Sequence, residues 1–119
     1  MVYVDGFVMP VPRRRRAAYA RLARLACKVW MEHGALSYVE ALADDVQPGK
    51  VTSFPRSVAL KRGEEVWFSF ITYRSRRHRD AVMKKVMADP RMQPAMAGKD
   101  IPFDPQRMIW GGFKGVVES

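Results

Sequence analysis

Cysteine occurs once in these 119 residues, at Cys27, and histidine twice, at His33 and His78. A single thiol excludes an internal disulfide, and one thiol with two imidazoles does not make a zinc-ligand set. Cys27 therefore reads as a small packing residue of a helix. No apolar run approaches the roughly 20 residues that a membrane-spanning helix needs. The apolar stretch at the N-terminus precedes its basic cluster and is broken by Asp5 and two prolines, which is not the order of a secretory signal. We expect a cytoplasmic protein with no metal, no cofactor and no membrane partner. Acidic residues are scarce, 12 against 21 Lys and Arg, for a formal net charge of +9. There is no solenoid-length repeat, and the only biased run is Arg13 to Arg16.

Hydrophobic residues make up 48% and charged residues 28%, the balance of an ordinary globular chain. The length fits one domain, residues 1–119, large enough to bury roughly two thirds of its unfolded surface.

Two similar segments lie near the ends: Val4-Asp5-Gly6-Phe7-Val8 and Ile109-Trp110-Gly111-Gly112-Phe113. Each reads as a strand interrupted by glycine. The first strand spans about Tyr3 to Met9, with Tyr3, Asp5, Phe7 and Met9 on one face and Val4, Gly6 and Val8 on the other. Pro10 and Pro12 are expected to end it, because proline brings no ladder donor. A long helix then starts at Arg13, with Tyr19, Leu22, Ala26 and Val29 as its buried stripe and Gly34 as its left-handed stop. Leu36 to Ala43 reads as a strand and Asp44 to Arg56 as a long loop in which Asp44 and Asp45 are turn residues. Glu65 to Tyr73, rich in aromatic and β-branched residues, is the strongest strand. Ser75 is positioned to cap a second helix running to Ala88, closed by Asp89-Pro90. Met92 to Met96 reads as a further helical turn, and Arg107 to Val117 as the last strand.

The order is βαββαβ, which predicts an α+β, ferredoxin-like subunit: a four-stranded antiparallel sheet, strand order four, one, three, two, with two helices on one face. The other face is then bare, and strands one and three are apolar on both sides. A homodimer pairing the two bare faces, a dimeric α/β barrel, is the expected solution.

Several ordered blocks also resemble a known family. They include Tyr3-Val4-Asp5-Gly6-Phe7, Glu32-His33-Gly34-Ala35-Leu36, Pro48-Gly49-Lys50-Val51-Thr52, His78-Arg79-Asp80-Ala81-Val82 and Lys85-Val86-Met87-Ala88-Asp89-Pro90-Arg91-Met92. Pro102-Phe103-Asp104 and Arg107-Met108-Ile109 with Gly111-Gly112-Phe113 continue the likeness, so that it covers nearly the whole chain. The chain resembles the small bacterial proteins called domain of unknown function 1428, similar in fold to the dimeric α/β-barrel superfamily. That resemblance implies a dimer and supplies no catalytic residues.

Candidate site residues follow from placement. Gly6 on strand one lies beside Gly111 and Gly112 on strand four, and clustered strand glycines either admit a ligand or mark a tight crossing. His33 and His78 are the candidate proton-transfer groups. His33 is equally read as a helix C-terminal residue favoured by the dipole, whereas the dipole at a helix start favours a neutral His78. Arg74, Arg76, Arg77 and Arg79 surround that start, either as an anion site or as ion-pair partners of Asp80 and Asp89. Tyr38, Glu40, Trp67, Tyr73, Met108 and Trp110 are candidate pocket walls or, as strand aromatics often are, core and interface. The expected function is binding or turnover of a small organic ligand between sheet and helices.

The alternative is an interaction module. Arg13 to Arg16, Arg21, Arg24 and Lys28 form a basic first helix, with Arg14, Arg21, Arg24 and Lys28 on one face. Such a stripe is either a solvated surface or a site for an acidic partner or nucleic acid. Phe68 and Phe70 would suit an RNA-stacking sheet, but no RNP-like motif is present and the expected dimer covers that face.

Overall fold

Strand β1 (Tyr3–Pro12) runs three residues past the expected end at Met9 in the computed structural model, which describes residues 1–93 and 100–119. It pairs with β3 (Glu64–Tyr73) along its whole length and with β4 (Ile109–Lys114) only from Tyr3 to Val8. Pro10 and Pro12 thus fall where β1 has a neighbour on one side only, the position in which a missing N–H breaks no ladder. β2 (Ser37–Leu42) lies on the far side of β3, so the order is β2-β3-β1-β4 and every pairing is antiparallel.

The helix does not begin at Arg13. Arg13 to Arg15 form a 3-10 turn with no side-chain cap, and α1 (Arg16–Glu32) follows, ending at His33 and the positive-φ Gly34. The expected loop contains a one-turn helix, α2 (Phe54–Ser57), capped by Ser53, whose Oγ accepts from the Arg56 amide. α3 (Arg76–Ala88) is capped by Ser75, whose Oγ accepts from the His78 amide at 3.1 Å. Residues 94–96 of the expected Met92–Met96 turn lie outside the described residues. β4 starts two residues later than expected because Asp104 to Arg107 make a turn, with the Arg107 amide donating to the Asp104 carbonyl at 3.2 Å. It ends before Gly115, since only Val2 remains opposite it.

One sheet face carries Tyr3, Asp5, Phe7 and Met9 with Tyr73, Ile71, Ser69 and Trp67, in paired rows. Against it pack the buried residues of α1 (Tyr19, Ala23, Ala26, Val29, Trp30) and of α3 (Val82, Val86). Each fully buried aliphatic chain in this layer contributes about 2 kcal/mol. The other face holds Val39, Phe68, Ile109 and Phe113, all substantially exposed. Among the described residues, no helix is long and apolar enough to cross a membrane.

Candidate functional site

The pleat brings three strands into register beneath the helices. Asp5, Ile71 and Tyr38 form one row, and Phe7, Ser69 and Glu40 the next. Between these rows and α1 lies a cavity of about 210 Å³, open to one side and lined there by methionine and aromatic side chains, among them Met83, Met87, Met108, Phe103 and Trp110.

Glu40 is a carboxyl group in this apolar setting. The Tyr19 hydroxyl donates to its Oε1 and the Tyr38 hydroxyl to its Oε2, both at 2.8 Å. The same Tyr19 oxygen lies 2.9 Å from the Met9 sulfur. Burial pushes the Glu40 carboxyl above its ordinary range, against the two hydroxyls, which favour its charged form. Burial first, and then the neighbouring Glu40 charge, push both tyrosines far above theirs, so they remain O–H donors. A carboxyl held so that its proton leaves closer to neutrality is suited to acid and base work.

Asp5 is the second carboxyl of the wall. It is 1% exposed, and its Oδ1 accepts from Arg79 Nη1 at 2.7 Å. Its buried Oδ2 has no partner at ordinary hydrogen-bond geometry, and the neighbouring Tyr73 hydroxyl, which accepts from the Trp30 indole N–H at 3.1 Å, also favours the charged carboxylate. Burial raises this carboxyl too, opposed chiefly by the Arg79 charge. Arg79 arrives from the first turn of α3, lies 5.1 Å from the centre of the Tyr3 ring, and also donates to Asp80 through Nε at 2.8 Å.

The cavity wall therefore unites Tyr38, Glu40, Met108 and Trp110, and other expected site residues lie elsewhere. Trp67 packs with Met9, Val11 and Tyr19, its ring 4.8 Å from that of Tyr19 and its buried indole N–H unpartnered. His33 caps α1 and sits 2.8 Å from Asp89 Oδ2. His78 accepts at Nδ1 from the Arg74 amide at 2.9 Å, and burial, followed by the Arg74 charge, lowers its pKa. Neither imidazole lines the cavity. Arg76 is exposed, as are Arg74 and Arg77, while Arg79 pairs with Asp5 and Asp80, and Asp89 with Arg91 and His33.

The glycines divide between the two faces. Gly6 and Gly111 stand opposite each other on the open face, where a Cβ would make ordinary contact, 3.9 and 3.6 Å, with the Phe113 ring. Gly112 lies on the helix side beneath Tyr3, and a Cβ there would come within 2.8 Å of that ring. Its glycine is explained by packing. No group of three His, Cys, Asp or Glu among the described residues is arranged to hold a metal ion.

Residues 2–105 match the family described as protein of unknown function (DUF1428). The chain belongs to the DUF1428 family. "Uncharacterized protein YbaA" of Escherichia coli strain K12 is 47% identical over 119 residues, 100% of both chains, and the Shigella flexneri protein of the same name matches equally. The family description assigns no activity, so chemistry has to come from residues. In fold, the de novo designed protein Foldit4 aligns with a TM-score of 0.51 at 9% identity, covering 98% of this DUF1428 chain and 100% of its own.

Sequence reasoning placed Glu40 among pocket walls but did not select Asp5 or Tyr19. The signal for Asp5 was present: it is the one charged residue on an otherwise apolar face of β1. Tyr19 carried no comparable signal, because its hydroxyl finds Glu40 only through the tertiary contact of α1 with β2.

Proposed function

We propose that this chain binds a small organic ligand in the cavity between sheet and helices, and that Glu40 exchanges a proton with it. The observation that carries the reading is a buried carboxyl, Glu40, held by two tyrosine hydroxyls in a largely apolar cavity. Structural cores seldom keep such a group, whereas ligand sites combine apolar walls with a few convergent polar atoms. The reading invokes no metal, because both Glu40 oxygens are engaged by hydroxyl donors. The subunit is read as ferredoxin-like and cytoplasmic, working as a homodimer closed over the open sheet face. Exposed Phe68, Ile109 and Phe113 on that face support the pairing.

Ligand-observed NMR with a library of small fragments tests the site. Fragments should bind the wild type and lose binding to Ala26→Trp, which fills the cavity from α1. Fragments that bind both proteins equally, or a library with no binders, would overturn the reading. Sedimentation at micromolar concentration should give a dimer, and a monomer would remove the pairing.

A second reading rests on a separate observation. Arg14, Arg21, Arg24 and Lys28 are exposed and have no ion-pair partner among the described residues. This face suits a polyanionic partner, whose affinity would fall steeply with salt. Absence of binding to a nucleic acid or an acidic polypeptide at about 50 mM salt disposes of it.

A further inference from the structure

We propose that the basic face of α1 continues into a groove at the end of the sheet, and that the two together hold a nucleic-acid duplex by its phosphate backbone without reading its sequence. The proposal rests on the second reading above and names the partner. The groove, about 660 Å³ in volume, is lined by Arg13 and Arg14 of the 3-10 turn and by Lys61 and Arg62 of the turn into β3. The Arg13 amide donates to the Gly63 carbonyl at 2.8 Å, which fixes these two basic segments side by side. Acidic neighbours are already engaged by other arginines: Glu64 and Asp104 by Arg107, Glu65 by Arg16 and Arg13, and Glu32, one turn beyond Lys28, by Arg91. That leaves Arg14, Arg21, Arg24, Lys28, Lys61 and Arg62 exposed, with no ion-pair partner among the described residues. The arginine run also sits at the positive end of the α1 dipole, with no acidic residue in the first turn and no side-chain cap. An anionic partner offsets that unfavourable placement.

What the surface lacks selects the partner. From Arg14 to Lys28 every exposed residue is Arg or Lys except Ala17. A protein partner needs an apolar or aromatic centre to its interface, and a membrane-bound helix needs apolar side chains to insert. A single strand needs aromatic rings on which its bases stack. A duplex needs none of these, because cations hold its backbone and its interfaces are polar and strongly positive. α1 presents one face only, since the other packs on the sheet, so its charges meet phosphates rather than base edges. Arg14 to Lys28 spans about 20 Å, the rise of about six base pairs.

Fluorescence anisotropy with labelled duplexes of about 16 base pairs tests this, using two sequences each of DNA and RNA at about 50 and 200 mM salt. Six cations permit a slope of log affinity against log salt of at most about −5, so binding should fall between about a hundredfold and a thousandfold. The tighter of the DNA and RNA duplexes names the source of the backbone, and two sequences of one kind should agree within about twofold. Arg21→Glu combined with Arg24→Glu should abolish binding, and Arg62→Ala should weaken it and make the slope shallower by about one. Arg76→Ala, in a different groove, should stay within about twofold of wild type. If the double variant does not fold, Arg62→Ala and the wild-type slope decide the matter. A marked sequence preference, or tighter binding of a single strand, overturns the backbone assignment. Polyglutamate or phosphatidylserine vesicles bound as tightly as the duplex overturn the nucleic-acid partner while the polyanion reading stands. No binding of any duplex at about 50 mM salt overturns the proposal, and no binding of polyglutamate either overturns both.

Discussion

Tyr38 donates its hydroxyl hydrogen to Glu40, two residues along the same strand and on the same face, at 2.8 Å. Tyr19 supplies the matching bond from α1, so the carboxylate is gripped by its own strand and by the helix above it. Tyr19→Phe and Tyr38→Phe each remove a donor to a buried charge and should each lower stability by about 1–2 kcal/mol at neutral pH. The loss should shrink in acid, where Glu40 is protonated and needs fewer donors. Urea unfolding at both pH values measures this, and an equal loss at both would show that the bonds do not serve the charged form.

Glu40 also sets a pH dependence. Burial raises its folded value above the unfolded one, so the folded chain keeps this proton to higher pH. Stability is then highest below the unfolded value and declines as pH rises towards the folded one. Asp5 is raised as well and adds to the same decline. Glu40→Gln should give a shallower fall in urea midpoint between roughly pH 4 and pH 8. A slope identical to wild type would mean that Glu40 is not shifted.

Arg107 works in the opposite sense. Its Nη1 and Nη2 donate to Glu64 at 2.8 and 2.6 Å, and its Nε to Asp104 at 2.9 Å. These bonds hold the Glu64 and Asp104 carboxyls below their usual range. Stability from such groups is present above their unfolded values and is lost as pH falls through the folded ones. Arg107→Ala should therefore cost about 2 kcal/mol near neutrality and much less in strong acid. Denaturant midpoints across that range check both the size and the direction.

Gly111 and Gly112 are neighbours in sequence but should respond differently to alanine. At Gly112 the new methyl meets the Tyr3 ring at 2.8 Å, so the ring must move and stability should fall by about 1–3 kcal/mol. At Gly111 the closest approach is 3.6 Å, to Phe113, and the substitution should be nearly neutral in the folded subunit. Thermal unfolding of the two variants at equal concentration gives the comparison. Gly112→Ala melting no lower than Gly111→Ala would remove the packing explanation.

Most of the framework was legible in the sequence because local rules and tertiary need agree there. Ser75 caps α3, Gly34 ends α1 with positive φ, and the aromatic, β-branched run of β3 forms a strand flanked on both sides. Pro10 and Pro12 misled because proline's tolerance depends on whether a neighbouring strand is present, and that is a property of the sheet. The site was legible only in part. Glu40 stands on a strand whose alternation shows its face, but its engagement by Tyr19 joins residues 21 apart through the packing of α1. The histidines attracted notice by residue type, while the groups brought to the cavity are carboxyls and phenols whose behaviour is altered by burial.

The short reach of β4 along β1 has a consequence for the segment before it. Were β4 to extend towards its N-terminus, Met108 would stand opposite Met9 and Arg107 opposite Pro10, which has no N–H to offer. The chain instead leaves the sheet at Ile109. That departure lets Arg107 reach Glu64 across the end of β3. A missing hydrogen-bond donor on the central strand thus goes with the tether of the segment that precedes β4.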